Sequence, residues 1–298
     1  MDKKTYPLHK VVQYRNINKI RILFPETKDI NEKDDKGQTV LLVASEYEIP
    51  NDAIMELLLS HEKIDPKLTN QDSFNVLHML GFKGNLIWIK KVLEKFPDLN
   101  VDAVTDKGNT PLILATKMNH LEIIQYLHSK GASINHKDDY GFTPLMKAAS
   151  WGFTEVCEIL LDHDADTGLT NKRGQTALSQ SIRRNNIDTV KVLLEHGSDP
   201  NKVISYSGKV FTPLSSACLS KNADVMKLLI EYGADVNFPK PHSLALFTCV
   251  KSGFVAGVEV LLKAGVNVHA KTHNGGTALN SARRYHHNEI VQLLMNHH

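Results

Sequence analysis

Apolar and polar positions follow one cycle from end to end of this chain. The cycle is clearest in TPLMKAASWGFTEVCEILLDHDAD, Thr143 to Asp166. Leu145, Ala148 and Ala149 recur at helical spacing and predict a short first helix with a small-residue inner face that lets helices stack closely. Thr143 precedes it as an N-cap whose hydroxyl accepts from an orphan backbone N–H. Pro144 fills the first helical position, where no donor is required and φ is already set. Gly152 predicts the end of that helix, in the left-handed conformation glycine tolerates. Val156, Ile159, Leu160 and Leu161 predict a second helix. A glycine turn and an extended finger then lead to the next N-cap. Gly131, Gly197, Gly233 and Gly265 take that turn; Asp164 replaces glycine here, and Asp enters the left-handed region more readily than most residues.

The same cycle starts at Tyr6, Thr39, Asn75, Thr110, Thr143, Thr176, Thr212, Leu244 and Thr277, at intervals of 33, 36, 35, 33, 33, 36, 32 and 33 residues. A period this constant predicts a repeat solenoid rather than the two globular domains that length alone suggests. TPLILATKMNHLEIIQYLHSKGASIN, TALSQSIRRNNIDTVKVLLEHGSDPN and TPLSSACLSKNADVMKLLIEYGADVN repeat the pattern in phase with the Thr143 unit. In these segments the chain resembles the ankyrin repeat family. The resemblance extends over about nine units and implies one all-α repeat solenoid spanning residues 1–298, elongated and curved, with helix-turn-helix pairs and short β-hairpin fingers. The first and last units read as caps. Asn16, Asn18, Lys19 and Arg21 near the start, and His286, His287, Asn288, Gln292 and Asn296 near the end, put polar groups where no neighbour stacks.

Three places break the cycle. SEYEIPNDAIME, with Pro50, predicts an enlarged inter-helix loop; DPNKVISYSGKVF makes the finger before Thr212 longer than the others; the unit at Leu244 lacks a Thr-Pro start and carries Pro239-Lys240-Pro241 in its finger. Ser243 or His242 is then the substitute cap. Insertions of this kind map to exposed loops.

Composition narrows the chemistry. Hydrophobic residues make up 42% and charged residues 23%, a globular balance. Lys+Arg 35 against Asp+Glu 33 gives a net charge of +2, which argues against a protein that coats nucleic acid or an anionic membrane. Three cysteines exclude a disulfide scaffold and fit a reducing compartment. Cys157, Cys218 and Cys249 fall at core positions and read as small buried hydrophobes that stay reduced. No apolar run approaches the length of a membrane span, and the N-terminal residues show no secretory signal.

No catalytic motif, phosphate loop or cofactor fingerprint is present, so no cofactor and no catalytic residue are expected. Fifteen histidines are many, and His286-His287 and His297-His298 are paired, yet none has metal-ligand spacing to a further Cys or Glu, and no metal is expected. His9, His78, His120 and His287 sit where the family carries structural histidines. Asn135, Asn201, Asn237 and Asn267 recur after the glycine turn and are expected to bond neighbouring backbone and fix the finger's turn.

A solenoid offers a long preorganised surface, so the expected work is non-enzymatic binding of a protein partner. The resemblance places that partner on the concave face, built from the residues before each N-cap and the end of each first helix. In this phase Tyr140, Phe142 and Trp151 are expected to anchor an apolar part of the partner. Arg173, Arg183 and Arg184 meet an acidic part, and Tyr206 and Phe211 join from the long finger. Phe74 and Phe82 face the same way in an earlier unit; Trp88 falls at a core phase on a second helix. The chain is expected to be a cytoplasmic monomer that binds no nucleic acid and inserts in no membrane. Its Lys-, Asn- and Ile-rich composition is similar to ankyrin proteins that intracellular bacteria or large viruses deliver to a host cytosol. A housekeeping cytosolic scaffold is the alternative, and an enzyme of unfamiliar class stands third.

Overall fold

The computed structural model describes residues 6–48, 51–206, 209–238, 245–272 and 275–297. Pro50, Pro239-Lys240-Pro241, the substitute caps His242 and Ser243, the start at Leu244 and His298 lie outside the described residues. The chain forms two compact units, Met1–Asp139 and Tyr140–His298.

Among the described residues the first unit holds four helix pairs. They are α1 (Pro7–Gln13) and α2 (Ile17–Leu23), α3 (Val40–Ser45) and α4 (Asp52–Ser60), α5 (Val76–Lys83) and α6 (Leu86–Lys95), and α7 (Pro111–Lys117) and α8 (Leu121–Ser129). The second unit continues with α9 (Pro144–Trp151) and α10 (Thr154–Asp162), α11 (Ala177–Arg184) and α12 (Ile187–Glu195), then a hairpin of β1 (Ile204–Tyr206) and β2 (Lys209–Phe211). After it come α13 (Pro213–Leu219) and α14 (Ala223–Glu231), α15 (Ala245–Lys251) and α16 (Val255–Lys263), and α17 (Ala278–Arg284) and α18 (Asn288–Met295). Within each unit the first helices pack side by side, α1–α3–α5–α7 and α9–α11–α13–α15–α17, with the second helices as an outer row. The fold is an all-α repeat solenoid.

Local sequence explains the helices. Thr39, Thr110, Thr143, Thr176, Thr212 and Thr277 each accept a hydrogen bond from the backbone N–H three residues on, and Asn75 does the same for His78. Gly84 and Gly152 close their helices in the left-handed region at φ 86° and 74°. Asp164 takes the glycine slot at φ 61°. The leucine two residues after each N-cap is buried at Leu41, Leu77, Leu112, Leu145, Leu178 and Leu214. Removing such a side chain from water contributes roughly 1.5–3 kcal/mol. Six residues separate the end of α3 from the start of α4, against two between α9 and α10; the enlarged loop expected around Pro50 falls partly outside the described residues.

The fingers correct one expectation. Among the described residues a two-stranded ladder forms only before Thr212, where Ile204 pairs with Phe211 and Tyr206 with Lys209, plus a single bridge between Lys271 and Thr277. In three other described fingers, each shorter than the one before Thr212, one side chain organises a turn instead. Asp34 Oδ1 accepts from Lys36 N and Gln38 N at 2.9 and 2.8 Å; Asn70 Oδ1 and Asn171 Oδ1 do the same in their own fingers.

The turn asparagines have a different job from the one expected. Asn201 Nδ2 donates to Gly233 O at 2.9 Å, and Asp235 N donates to Asn201 Oδ1 at 2.8 Å. Asn237 makes the matching pair with Gly265 O and Asn267 N, at 3.3 and 2.7 Å. Asn31 does so with Lys63 O and Asp65 N. Each fastens its own repeat to the turn of the next, whereas Asn267 Oδ1 accepts locally from His269 N.

Candidate functional site

The expected binding residues all fall in the second unit. Tyr140 sits at a finger tip, 64% exposed, and its carbonyl accepts from Lys172 N of the next finger at 3.1 Å. Gly141 permits that approach. It lies at φ 79°, and a Cβ there would come within 2.8 Å of Lys172 N. Phe142 is half-buried, with the Lys147 ammonium 5.0 Å from its ring centroid. Trp151 closes α9, remains 44% exposed and lies 5.8 Å from the Phe153 ring.

The cations come from two places. Lys172 and Arg173 are exposed on the finger; Arg183 and Arg184 are exposed in the last turn of α11, where the helix dipole favours positive charge. Arg183 Nη2 donates to Gln180 Oε1 at 2.8 Å, a half-buried contact that side-chain type and spacing did not point to. Phe211 ends β2 and is half-buried. Tyr206 ends β1, and its side chain lies outside the described residues.

The first unit contains a feature underweighted by the sequence. A groove of about 770 Å³ opens on its finger side, between the fingers at Lys36–Gln38 and Asn70–Phe74 and the ends of α1, α3 and α5. Phe74 and Phe82 line it with Tyr47 and Met79. Tyr47 is held there by the Arg15 guanidinium 3.9 Å over its ring and by its hydroxyl on the Gln13 carbonyl. Met79 was readable as the fourth residue after the cap Asn75, a slot that also holds Gln180.

The remaining chemistry-bearing groups are structural. His78 is buried: Asn75 N donates to its Nδ1 at 3.2 Å, and its Nε2 pairs with the Ala103 carbonyl at 2.9 Å. Burial lowers its pKa to about 4. His9 Nε2 meets Gln38 O at 2.9 Å. The rings of His120 and His287 lie under Gly84 and Gly253, where a Cβ would clash at 2.7 and 2.8 Å. Cys157, Cys218 and Cys249 are buried free thiols; burial pushes Cys157 up to about 12 and raises Cys218, which keeps those two protonated and unreactive. Trp88 is buried and donates to Asp52 Oδ1 at 2.9 Å. Among the described residues no cluster of three His, Cys, Asp or Glu side chains is placed to hold a metal, and no helix is long and apolar enough to cross a membrane.

Comparison with known proteins agrees with this architecture. A family model of three ankyrin repeats matches residues 49–138, 77–171, 130–204 and 163–240. An ankyrin repeat-containing protein of Schizosaccharomyces pombe is 32% identical over 100 residues, 33% of this chain and 42% of that protein. An ankyrin repeat protein of Rickettsia felis is 27% identical over 42% of this chain and 40% of its own length. The B-cell lymphoma 3 protein homolog of Mus musculus is 30% identical over 43% of this chain and 29% of its own length. The chain spans less than half the length of each of these relatives.

Proposed function

The chain belongs to the ankyrin-repeat family, whose repeats are protein–protein interaction modules, and from that premise we propose that it holds a partner protein through the face built by its fingers and first-helix ends. The observation that carries this reading lies in the second unit. Tyr140 and Trp151 stay well exposed on one repeat, while the adjacent repeat exposes Arg173, Arg183 and Arg184. Trp, Tyr and Arg are the residue types that most often dominate interface energies. Tyr140, Phe142 and Trp151, with Tyr206 and Phe211 from the long finger, anchor the apolar part of the partner; the three arginines meet its acidic part. The chain performs no catalysis in this reading, works as one continuous monomeric domain in the cytoplasm, and leaves nucleic acid alone.

Capture from a lysate with parent and variant chains tests it. Trp151→Ala and Arg183→Glu with Arg184→Glu should each lose a partner that the parent retains, while the outer-row variant Lys191→Glu keeps it. Loss confined to the outer-row variant overturns the assignment. The host-effector reading rests on composition. A translocation reporter fused to the chain should give a secretion-dependent signal in host cytosol, and a chain that stays with its producing cell is instead the housekeeping scaffold.

A further inference from the structure

Gln180 is 1% exposed, and a buried primary amide is costly unless its polar atoms are matched. Its Nε2 donates to Gln175 Oε1 at 2.8 Å, and its Oε1 accepts from Arg183 Nη2 at 2.8 Å. Gln175 Oε1 also accepts from Asn171 Nδ2 at 3.1 Å. Asn171, itself buried, takes Arg173 N and Gln175 N on its Oδ1 at 2.9 and 3.0 Å. Three amides thus run without a break from the finger backbone at Arg173 to the guanidinium at the end of α11. Three other repeats fill the Gln180 slot with a buried apolar residue, Val43, Met79 and Leu114, so the core does not demand an amide at that depth. What distinguishes this repeat is the guanidinium that the amide holds.

We propose that the Asn171–Gln175–Gln180 chain is a mount that presents Arg183 in a fixed plane to a carboxylate of an acidic protein segment, with Gln180 as the positioning residue. The proposal deepens the interaction-module reading and rests on it. A guanidinium is a planar fork that meets a carboxylate with two parallel hydrogen bonds, so its orientation counts in a way that an ammonium's does not. Ordering it before the partner arrives removes part of the entropy cost of binding. Lys172, Arg173 and Arg184, all exposed, add local positive charge around it. That charge is confined to a strip of a chain whose net charge is only +2, which favours a short acidic protein segment over a nucleic acid, whose backbone rewards many spread cations.

Fluorescence anisotropy on the full chain tests this with three labelled probes: a short peptide of Glu, Leu and Phe, its Gln counterpart, and a single-stranded oligonucleotide. The Glu peptide should bind about tenfold or more tightly than the Gln peptide, and Arg183→Ala should erase that preference. Gln180→Met, a residue the slot already accepts elsewhere, should weaken the Glu peptide about three- to tenfold without moving the melting temperature. Gln180→Glu keeps a partner for Arg183 but neutralises it, and should abolish the preference for Glu over Gln, which a purely structural role would leave intact. Parental affinity in Gln180→Met overturns the mount and leaves the interaction reading standing. Equal binding of the two peptides, binding of neither, or tighter binding of the oligonucleotide overturns the acidic partner.

Discussion

The finger glutamines of two repeats, one in each unit, make an instructive pair. In the first unit Gln38 precedes the cap Thr39, and its Nε2 donates to Glu46 in the loop after α3. In the second unit Gln175 precedes the cap Thr176 and reaches, through Gln180, to Arg183 near the end of α11. Glu46 and Arg183 stand at the same distance from their caps, seven residues on. The backbone register is the same, and so is the amide on the finger; the charge presented is opposite. The scaffold therefore fixes where a side chain is held, while residue choice at that position fixes what a partner meets. Around Glu46 lies a groove with Tyr47, Phe74 and Phe82; around Arg183 lie exposed cations.

The strongest way to sharpen this contrast uses the two tryptophans. Trp88→Ala in the first unit removes a buried side chain and its bond to Asp52, and should cost about 3–5 kcal/mol of stability. Chemical denaturation followed by circular dichroism would read it; a loss below about 1 kcal/mol would show that α6 repacks around the gap.

The caps differ next. In the first unit Asn75 N donates to His78 Nδ1; in the second, Thr176 N donates to Ser179 Oγ at 3.0 Å in the same slot. Only the first can titrate. Because burial lowers the His78 pKa to about 4, the folded state binds fewer protons than the unfolded one. The associated stability is fully present above pH 6.5 and is lost as pH falls toward 4, by about 3 kcal/mol in all. Amide exchange should show protection in α5 and α7 falling with acid more steeply than in α11 and α13, and His78→Ser should flatten the difference. Equal pH dependence in the two units would refute it.

Trp151→Ala, by contrast with Trp88→Ala, should leave the fold nearly untouched and weaken partner binding by about 2 kcal/mol, measured by titration calorimetry once the partner is in hand. Smallest of all, Asn201→Ala removes the fastening to Gly233 and Asp235 and should lower stability by about 1–2 kcal/mol, visible in a thermal melt. The same change at Asn267, which bonds locally, should do less.

Much of this was legible in the sequence because it is set within a few residues. Thr143, Pro144 and Gly152 announce a helix start and stop through their own backbone preferences, and Trp88 and the three cysteines declare burial through their phase in the helix. The finger turns were misread because a ladder and a side-chain-closed turn share the same residues; what separates them is the number of residues available before the next cap. Asn201 was misassigned because its partners lie more than thirty residues on, at a distance set by stacking rather than by spacing along the chain. Gln180 and the groove at Tyr47 depend on how far a side chain reaches across a repeat, which apolar periodicity does not encode.

The fastenings at Asn31, Asn201 and Asn237 have a consequence of their own. Each asparagine grips a carbonyl and an amide N–H of the following turn, and every residue except proline supplies both. The joint is blind to the sequence it joins. A repeat can therefore be copied, dropped or exchanged for another without redesigning its connector, provided the incoming turn keeps its shape. A lineage is then free to rewrite the displayed residues, such as Glu46 and Arg183, while the hinge pins stay as they are.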